Sequence, residues 1–101
     1  MSEAVVVRYE TRAGAAAENQ RLVERVFLEL TEAAPPGVRY AAFLLADGVS
    51  FVHVVLMEGD DNPLSRLAAF QEFQSGAADR MAGPPVSAGA TVVGSYRFFT
   101  P

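Results

Sequence analysis

Two apolar, strand-like runs lie on either side of a short turn signal in the middle of the chain. The runs are Val38 to Leu45 and Val49 to Met57, and Ala46, Asp47 and Gly48 separate them. Asp-Gly between two such runs is a strong hairpin signal, because both residues tolerate the left-handed backbone that tight turns need. The sequence therefore predicts two adjacent antiparallel strands, and the rest of the chain must fold around that pair.

Helical segments flank this hairpin on both sides. After Gly14, apolar residues recur at helical spacing as far as Ala33 and charged residues fall opposite them, which predicts an amphipathic helix. The run Pro35–Pro36–Gly37 ends that helix, because proline removes an amide donor and disfavours helical geometry before it. A second helix is predicted over Leu64 to Met81, behind Pro63. Its apolar stripe comprises Leu67, Phe70, Phe73, Ala77, Ala78 and Met81.

Strand-like segments also open and close the chain. Ala4 to Thr11 begins with three valines, and Thr91 to Phe99 is rich in the branched and aromatic residues that suit a pleated backbone. The predicted order is βαββαβ, in a single domain over residues 1–101. With right-handed crossovers this order folds most simply into a ferredoxin-like α+β layer. It has a four-stranded antiparallel sheet, strands one and three at its centre, and both helices on one face.

Strand three carries apolar side chains on both of its faces. Phe51 and Val55 fall on one face, and Val52 and Val54 fall on the other. Two helices can cover only one face of the sheet, so the other should be polar in a monomer. A large exposed apolar patch is unusual for a soluble monomer, and symmetric pairing would cover it. The sequence therefore predicts a homodimer, with a monomer whose patch is interrupted by small and polar residues as the alternative.

Composition narrows the range of partners and cofactors. Eight basic residues against twelve acidic ones give a net charge of −4, without a basic cluster, so no nucleic-acid partner is expected. With no cysteine and one histidine, a protein-only transition-metal site is hard to assemble, and no metal or cofactor is predicted. No segment approaches the ~18 apolar residues of a membrane span, and the first residues lack a signal-peptide pattern. We therefore expect no membrane association and a cytoplasmic location.

Several segments together resemble a known family. They are the hairpin-to-helix passage DGVSFVHVVLMEGDDNPL, the helical segment AFQEFQSG and the closing stretch VVGSYRFF, within a βαββαβ order that spans nearly the whole chain. They are similar to the dimeric α+β barrel superfamily, and within it to the antibiotic biosynthesis monooxygenase-like domains. The resemblance implies a homodimer with facing sheets and a pocket between sheet and helices in each subunit. It also implies an activity like that of cofactor-independent monooxygenases acting on aromatic polyketide-like molecules, with a non-catalytic small-molecule-binding or structural dimer as the alternative.

The chain departs from the active relatives at their site residues. Haem-degrading relatives use a histidine on the second helix, an asparagine on the first strand and a tryptophan. This chain has no tryptophan, and its one histidine, His53, falls on predicted strand three. The resemblance therefore does not imply haem as a cofactor. The asparagine and tryptophan associated with cofactor-independent, quinone-forming members are also missing from the matching positions, so no catalytic residue carries over.

His53 is the first candidate for chemistry, and Tyr9 on the adjacent strand is the second. If the face that carries His53 looks toward the helices, it would meet Gln74 and Tyr9 in a pocket. A neutral imidazole there, with its pKa lowered by burial, could accept a proton from a phenol or enol, and the resulting carbanion could react with dioxygen. The alternative is a hydrogen-bonded, inert histidine in the core or the dimer interface.

Three further residues are candidates for contact with a small hydrophobic or aromatic ligand. Gln74 projects near the centre of the stripe of helix two, where it could bond a ligand or satisfy a strand carbonyl or a water. Phe70 lies on the same stripe. Arg97 could anchor an anionic ligand or pair with Glu10. An enzyme would hold a mostly apolar cavity with His53 or a tyrosine inside, whereas phenylalanines would fill the core of a binding or structural protein.

Overall fold

A four-stranded antiparallel sheet lies at the centre of the computed structural model, which describes residues 3–59 and 62–99. The strands are β1 (Glu3–Glu10), β2 (Val38–Leu44), β3 (Ser50–Met57) and β4 (Val86–Ala90). They lie in the order β2-β3-β1-β4, so β1 and β3 are central. The predicted ferredoxin-like α+β fold is confirmed.

The predicted hairpin joins β2 to β3. The two strands pair antiparallel along the whole of β2. The Asp47 carboxylate accepts hydrogen bonds from the backbone amides of Val49 and Ser50, at 3.0 and 2.8 Å. Gly48 has a φ of 78°, in the left-handed region that glycine adopts without steric cost. The Asp-Gly pair therefore closes the turn through a side-chain acceptor and a permissive backbone.

The first helix forms where its periodicity predicts it. It is α1 (Ala16–Ala33), and it buries Val23 and Val26 against the sheet. The helix ends at Ala34, whose φ of 44° is left-handed and whose backbone amide donates to the Leu30 carbonyl. This left-handed cap satisfies one of the orphan carbonyls at the helix end, and the prolines that follow prevent continuation.

The second helical region is divided, where the sequence predicts one continuous helix. A 3₁₀ helix spans Pro63–Arg66, followed by α2 (Ala68–Ser75) and α3 (Ala77–Arg80). Leu67 has extended backbone geometry and separates the 3₁₀ helix from α2, and Gly76 separates α2 from α3. Among the described residues no helix is long and apolar enough to cross a lipid bilayer.

The fourth strand lies earlier in the chain than the predicted Thr91–Phe99. A bridge between Thr11 and Met81 places the chain beside one end of β1, so pairing with β1 begins at once. The paired residues are Val86–Ala90, and the ladder runs along β1 as far as Ala4. Almost no β1 backbone is left when the more strand-prone stretch arrives. Tertiary position therefore overrides local strand propensity.

The two faces of the sheet have different surroundings. Between the sheet and the helices lies a core of Tyr9, Val23, Val26, Phe51, Phe73 and Met81. No helix in the described part of the chain covers the opposite face. We call this second surface the open face, and its apolar side chains include Val6, Ala41, Phe43, Val52, Val54 and Leu56.

The segment that follows β4 crosses the open face. Residues 91–99 and the sheet line a half-open cavity of about 680 Å³, whose walls include Val54 and Leu56. The ring of Phe43 lies 6.5 Å from that of Phe98 and 5.9 Å from that of Phe99. Residues 91–99 are nevertheless exposed, Val93 almost completely at 99%. The segment therefore covers the open face only in part.

Candidate functional site

His53 lies at the centre of a buried set of hydrogen bonds on the helix-covered face of the sheet. Its Nε2 is 2.8 Å from the hydroxyl of Tyr9, and its Nδ1 is 2.6 Å from the hydroxyl of Tyr40. The three side chains come from neighbouring strands. Tyr9 pairs with Phe51 and Tyr40 with Val55, so each tyrosine is a diagonal neighbour of His53 within reach of its ring. His53 itself is 5% exposed.

Two residues from the helical layer extend this set. The Asn19 side-chain amide of α1 donates to the hydroxyl of Tyr9 at 2.9 Å. Arg80, at the end of α3, donates from Nε to Asn19 Oδ1 at 3.0 Å and from Nη2 to the Phe73 carbonyl at 2.6 Å. Its guanidinium also lies 5.1 Å from the centre of the Phe73 ring. We call Arg80, Asn19, Tyr9, His53 and Tyr40 the buried polar chain.

Burial keeps the three rings of this chain neutral near pH 7. It lowers the pKa of His53 to about 4. Burial raises the pKa of Tyr9 to about 12, although the hydrogen bond from Asn19 and the charge of Arg80 oppose the shift. Burial, with a smaller contribution from Tyr9, also raises the pKa of Tyr40 above its ordinary range. The buried polar chain can therefore orient hydrogen bonds without placing an uncompensated charge on these three rings.

A cleft of about 230 Å³ lies beside Tyr40, where α1 ends and β2 begins. The Tyr40 ring packs against Phe27, with ring centres 4.7 Å apart. His53 and Tyr9 do not line this cleft, so Tyr40 is the member of the buried polar chain that reaches it. Drug-sized ligands occupy pockets of about 300 to 1,000 Å³, so this cleft suits a smaller compound. Its lining residues are Phe27, Leu30, Thr31, Ala34, Pro35, Val38 and Tyr40.

Of the predicted contacts on helix two, the structure brings neither directly to His53. The predicted inward orientation of Gln74 is wrong: Phe73 is buried against the sheet, and Gln74, the next residue of α2, is exposed. The Phe73 ring lies 5.7 Å from the His53 ring. Phe70 is half-buried beside Phe73, with ring centres 6.4 Å apart. Phe70 therefore packs one layer behind the histidine.

Arg97 lies apart from His53, on the segment that crosses the open face. It is exposed and left-handed, with a φ of 47°, and its guanidinium lies 5.3 Å from the ring of Tyr96. It makes no ion pair with Glu10, the partner considered from the sequence. Arg97 lines the larger cavity together with Arg39. A role in binding an anion stays a prediction.

Sequence reasoning did not select Asn19 or Arg80 as site residues. Asn19 carried a usable signal, because it falls at helical spacing from Val23 and Val26 on the side of α1 that faces the core. A polar residue in an apolar stripe indicates a buried hydrogen-bond partner. Arg80 carried no such signal, because nothing in its sequence neighbourhood distinguishes it from the surface arginines.

The described residues contain no group that would hold a metal ion. Within residues 3–59 and 62–99, no three histidine, aspartate or glutamate side chains converge on one point.

The fold is similar to those of a class of solved structures that includes several named as antibiotic biosynthesis monooxygenases. The sequence itself matches no family profile and no curated protein. The likeness is therefore one of structure.

Three of these neighbours show how far the likeness extends. Rv0793 from Mycobacterium tuberculosis is 16% identical, with a TM-score of 0.75 over 94% of this chain and 98% of its own. A provisional antibiotic biosynthesis monooxygenase from Nitrosomonas europaea is 14% identical, with a TM-score of 0.77 over 99% of this chain and 94% of its own. SnoaB, a cofactor-independent oxygenase from Streptomyces nogalater, is 18% identical, with a TM-score of 0.65 over 93% and 95%. At these identities the comparison shows a shared fold, which does not by itself define an activity.

Proposed function

We propose that this protein binds a small aromatic compound with an enolisable carbonyl group beside Tyr40 and oxygenates it without a cofactor. The observation that carries the proposal is the meeting of the buried polar chain and the cleft at Tyr40. Among the described residues, His53 is the hydrogen-bond partner of the Tyr40 hydroxyl. The structural likeness to a cofactor-independent oxygenase supports the reaction class. The size of the cleft favours one or two rings over a larger polyketide-like molecule.

Tyr40 would act on the carbonyl oxygen of the ligand. Its hydroxyl would donate a hydrogen bond to that oxygen and stabilise the enolate that forms when a solvent base removes the adjacent C–H proton. Dioxygen from solution would then add to the enolate carbon, and the hydroperoxide would lose water to leave a new carbonyl group. A CH₂ group and O₂ become C=O and H₂O, so the substrate supplies the electrons. His53 orients Tyr40 in this proposal and does not itself take the substrate proton.

The homodimer predicted from the sequence is part of the same proposal. Val6, Val52 and Val54 on the open face are half-buried, and the segment across it leaves Phe98 and Phe99 exposed at 57% and 70%. At ~25 cal/mol per Å², burial of several hundred square ångströms of this surface would contribute about 10 kcal/mol before the cost of association. A second copy offers the same apolar surface, so two copies are mutually complementary.

Oxygen uptake with two ketones of different size tests the function. 2-Tetralone has two rings and an acidic C–H beside its carbonyl, whereas anthrone has three rings. We expect enzyme-dependent oxygen consumption with 2-tetralone and less with anthrone. Tyr40→Phe should lower kcat/KM about 100-fold, because it removes the donor to the developing enolate.

Tyr96→Phe is the matched control for this assay. Tyr96 is 80% exposed, and the substitution removes the same hydroxyl far from His53, so activity should stay at the wild-type level. No oxygen uptake above the uncatalysed rate with either ketone, or full activity in Tyr40→Phe, would contradict the proposed reaction.

A non-catalytic binding or structural dimer is the second candidate. It is favoured by the hydrogen bonds that already occupy both ring nitrogens of His53 and by the phenylalanines that fill its surroundings. The aromatic phenol 2-naphthol resembles the enol of 2-tetralone, and its fluorescence is easily followed because the chain contains no tryptophan. Binding of 2-naphthol without oxygen uptake would support this candidate over the oxygenase.

A further inference from the structure

We propose that Arg80 fixes the direction of the buried polar chain and so selects the tautomer of His53 with its hydrogen on Nδ1. The hydroxyl hydrogen of Tyr40 is then left free for a ligand in the cleft. The tautomer does not depend on the proposed function, whereas its consequence for a bound ligand rests on it. Two residues, Tyr9 and Asn19, separate Arg80 from His53 in this hydrogen-bond chain, so the role of Arg80 is that of a positioning residue.

The direction begins at Arg80 because a guanidinium can only donate. Its Nε lies 3.0 Å from the side chain of Asn19, so the atom of Asn19 that faces it must be the oxygen. The opposite orientation would place two donors against each other in a site where both side chains are buried. The amide nitrogen of Asn19 is therefore turned toward Tyr9, and it donates to the hydroxyl oxygen at 2.9 Å.

Tyr9 determines which way the next hydrogen bond, the one to His53, is donated. Its oxygen already accepts from Asn19, and its own hydrogen needs an acceptor because Tyr9 is only 6% exposed. His53 Nε2, at 2.8 Å, is its second partner. Tyr9 must therefore donate to Nε2, which has to be the unprotonated nitrogen of the ring.

The direction of the last hydrogen bond, between His53 and Tyr40, follows from this tautomer. Since neutral His53 carries its hydrogen on Nδ1, that nitrogen donates to the oxygen of Tyr40 across 2.6 Å. The Tyr40 hydrogen has no acceptor in the described part of the chain, and it belongs to the residue that lines the cleft. The reverse direction would instead leave the buried hydrogen of Tyr9 without an acceptor. An unsatisfied buried donor is costly enough to favour the Nδ1–H form about tenfold or more.

Nitrogen-15 NMR of the imidazole measures this tautomer directly. The chain has one histidine, so a long-range ¹H–¹⁵N correlation spectrum of the untagged, full-length protein at pH 7 reports on His53 alone. We expect Nδ1 to show the signature of a protonated ring nitrogen and Nε2 that of an unprotonated one. A predominantly Nε2-protonated ring would overturn the proposal.

Asn19→Asp should reverse the direction in which hydrogen bonds are donated along the buried polar chain. The two side chains have almost the same shape. The carboxylate would accept from Arg80 on one oxygen and from the Tyr9 hydroxyl on the other. Tyr9 would then accept from Nε2–H, and Nδ1 would accept from the hydroxyl of Tyr40. We expect the spectrum of this variant to show the opposite tautomer. A variant with the wild-type tautomer would also overturn the proposal.

Substitution of Arg80 tests the source of the direction. In Arg80→Met the Asn19 amide is free to turn, and we expect the tautomer ratio to fall about tenfold from the wild-type value. Arg80→Lys keeps a donor-only cation and should retain the wild-type preference. Arg25→Gln is the control, because Arg25 is exposed and pairs with Glu72 on the surface. An unchanged ratio in folded Arg80→Met would show that Arg80 does not set the direction.

Two ligands that differ in one oxygen separate this inference from the proposed function. 2-Tetralone can accept a hydrogen bond from Tyr40, whereas tetralin has the same ring system and cannot. Asn19→Asp should weaken 2-tetralone binding about fivefold to tenfold, because it withdraws the Tyr40 hydrogen, and leave tetralin binding unchanged. If neither ligand binds the wild-type protein while the tautomer reverses as expected, the proposed function fails and the role of Arg80 stands.

Discussion

The two faces of β3 both carry apolar side chains, but they differ in their surroundings and in how they hold polar groups. The face toward the helices presents His53, hydrogen-bonded to tyrosines of both neighbouring strands and 5% exposed. The open face presents Val52 and Val54, which are half-buried beneath a segment that covers them only in part. A sheet covered on one side normally buries its apolar face and exposes its polar one. Here apolar side chains lie on both faces, and the helix-covered face, which we call the covered face, also buries the polar His53 within the apolar core.

The buried groups on the two faces therefore have different requirements. Polar groups on the covered face lose their hydration, so each needs a specific partner, and the result is one directed set of hydrogen bonds. Apolar groups on the open face need only to be removed from water, which any complementary surface can do. The covered face is therefore suited to orient a ligand, and the open face is suited to association.

The largest expected effect is the loss of the proposed dimer when a charge is introduced on the open face. Val54→Asp places a charge at the centre of the apolar surface, next to Val6 and Ala41 on the adjoining strands. Burial of an unpaired carboxylate in the proposed dimer interface should cost at least about 4 kcal/mol, or roughly a thousandfold in the dissociation constant. We expect sedimentation equilibrium at micromolar concentration to show a wild-type dimer and a folded monomeric variant.

Leu28→Asp is the matched control for the open face. Leu28 is 68% exposed on α1, so the same charge introduced there should leave the mass of the assembly unchanged. A monomeric wild-type protein, or a Val54→Asp variant that sediments like the wild type, would show that the open face is not a dimer interface.

The next largest effect is the pH dependence of the free energy of unfolding that His53 on the covered face produces. The pKa of His53 is lowered from about 6.5 in the unfolded chain to about 4 in the fold. Between these values the unfolded state binds a proton that the native state does not. The stabilisation is therefore fully present above pH 6.5 and is lost as the pH falls toward 4, by about 3 kcal/mol at most. Urea denaturation across this range measures the loss.

His53→Gln isolates this contribution, because glutamine can bond to both tyrosines but does not titrate. Carboxylates contribute to acid destabilisation in both proteins, among them Asp47, whose pKa is lowered chiefly by its hydrogen bond from Ser50. The difference between the two stability curves therefore reports on His53. Curves that stay parallel from pH 7 to pH 4 would contradict the expected shift.

The parts of the fold predicted correctly are those specified by local signals. The hairpin depends on two turn residues, and α1 depends on a helical period and the prolines behind it. The fourth strand depends on where the chain rejoins the sheet, which the bridge between Thr11 and Met81 decides. Residues so far apart in sequence leave no periodic pattern, so propensity favoured Thr91–Phe99 instead of Val86–Ala90.

The candidate site was predictable only in part, for a related reason. His53 and Tyr9 were identified as neighbours because strand pairing in a ferredoxin-like order brings their strands together. The sequence could not predict whether they lie on the helix-covered face or on the open face. Both faces of β3 are apolar, so the alternation of side chains does not distinguish the two faces. Arg80 lies 61 residues from Asn19, and their contact depends on the break in helix two that the sequence does not indicate.

The smallest expected effect tests how tightly the covered face is built around Arg80. A Cβ at Gly76 would lie 2.7 Å from Arg80 Nη1, while its φ of −103° is open to any residue. Gly76→Ala should therefore displace a guanidinium that is held by Asn19 and Phe73, at a cost of about 1 kcal/mol in the free energy of unfolding. The variant should also weaken the tautomer preference of His53 and leave the assembly on the open face intact.

Gly83→Ala separates this contact from the general effect of replacing glycine. A Cβ at Gly83 has no heavy atom within 4 Å, so the variant shares the change in unfolded-chain entropy without the contact. If the two variants unfold at the same urea concentration, Arg80 can move without loss, and the covered face is more adaptable than its hydrogen bonds indicate. If Gly76→Ala alone is destabilised, the hydrogen bonds of Arg80 hold the covered face in a single arrangement, unlike the apolar contacts of the open face, which have no required direction.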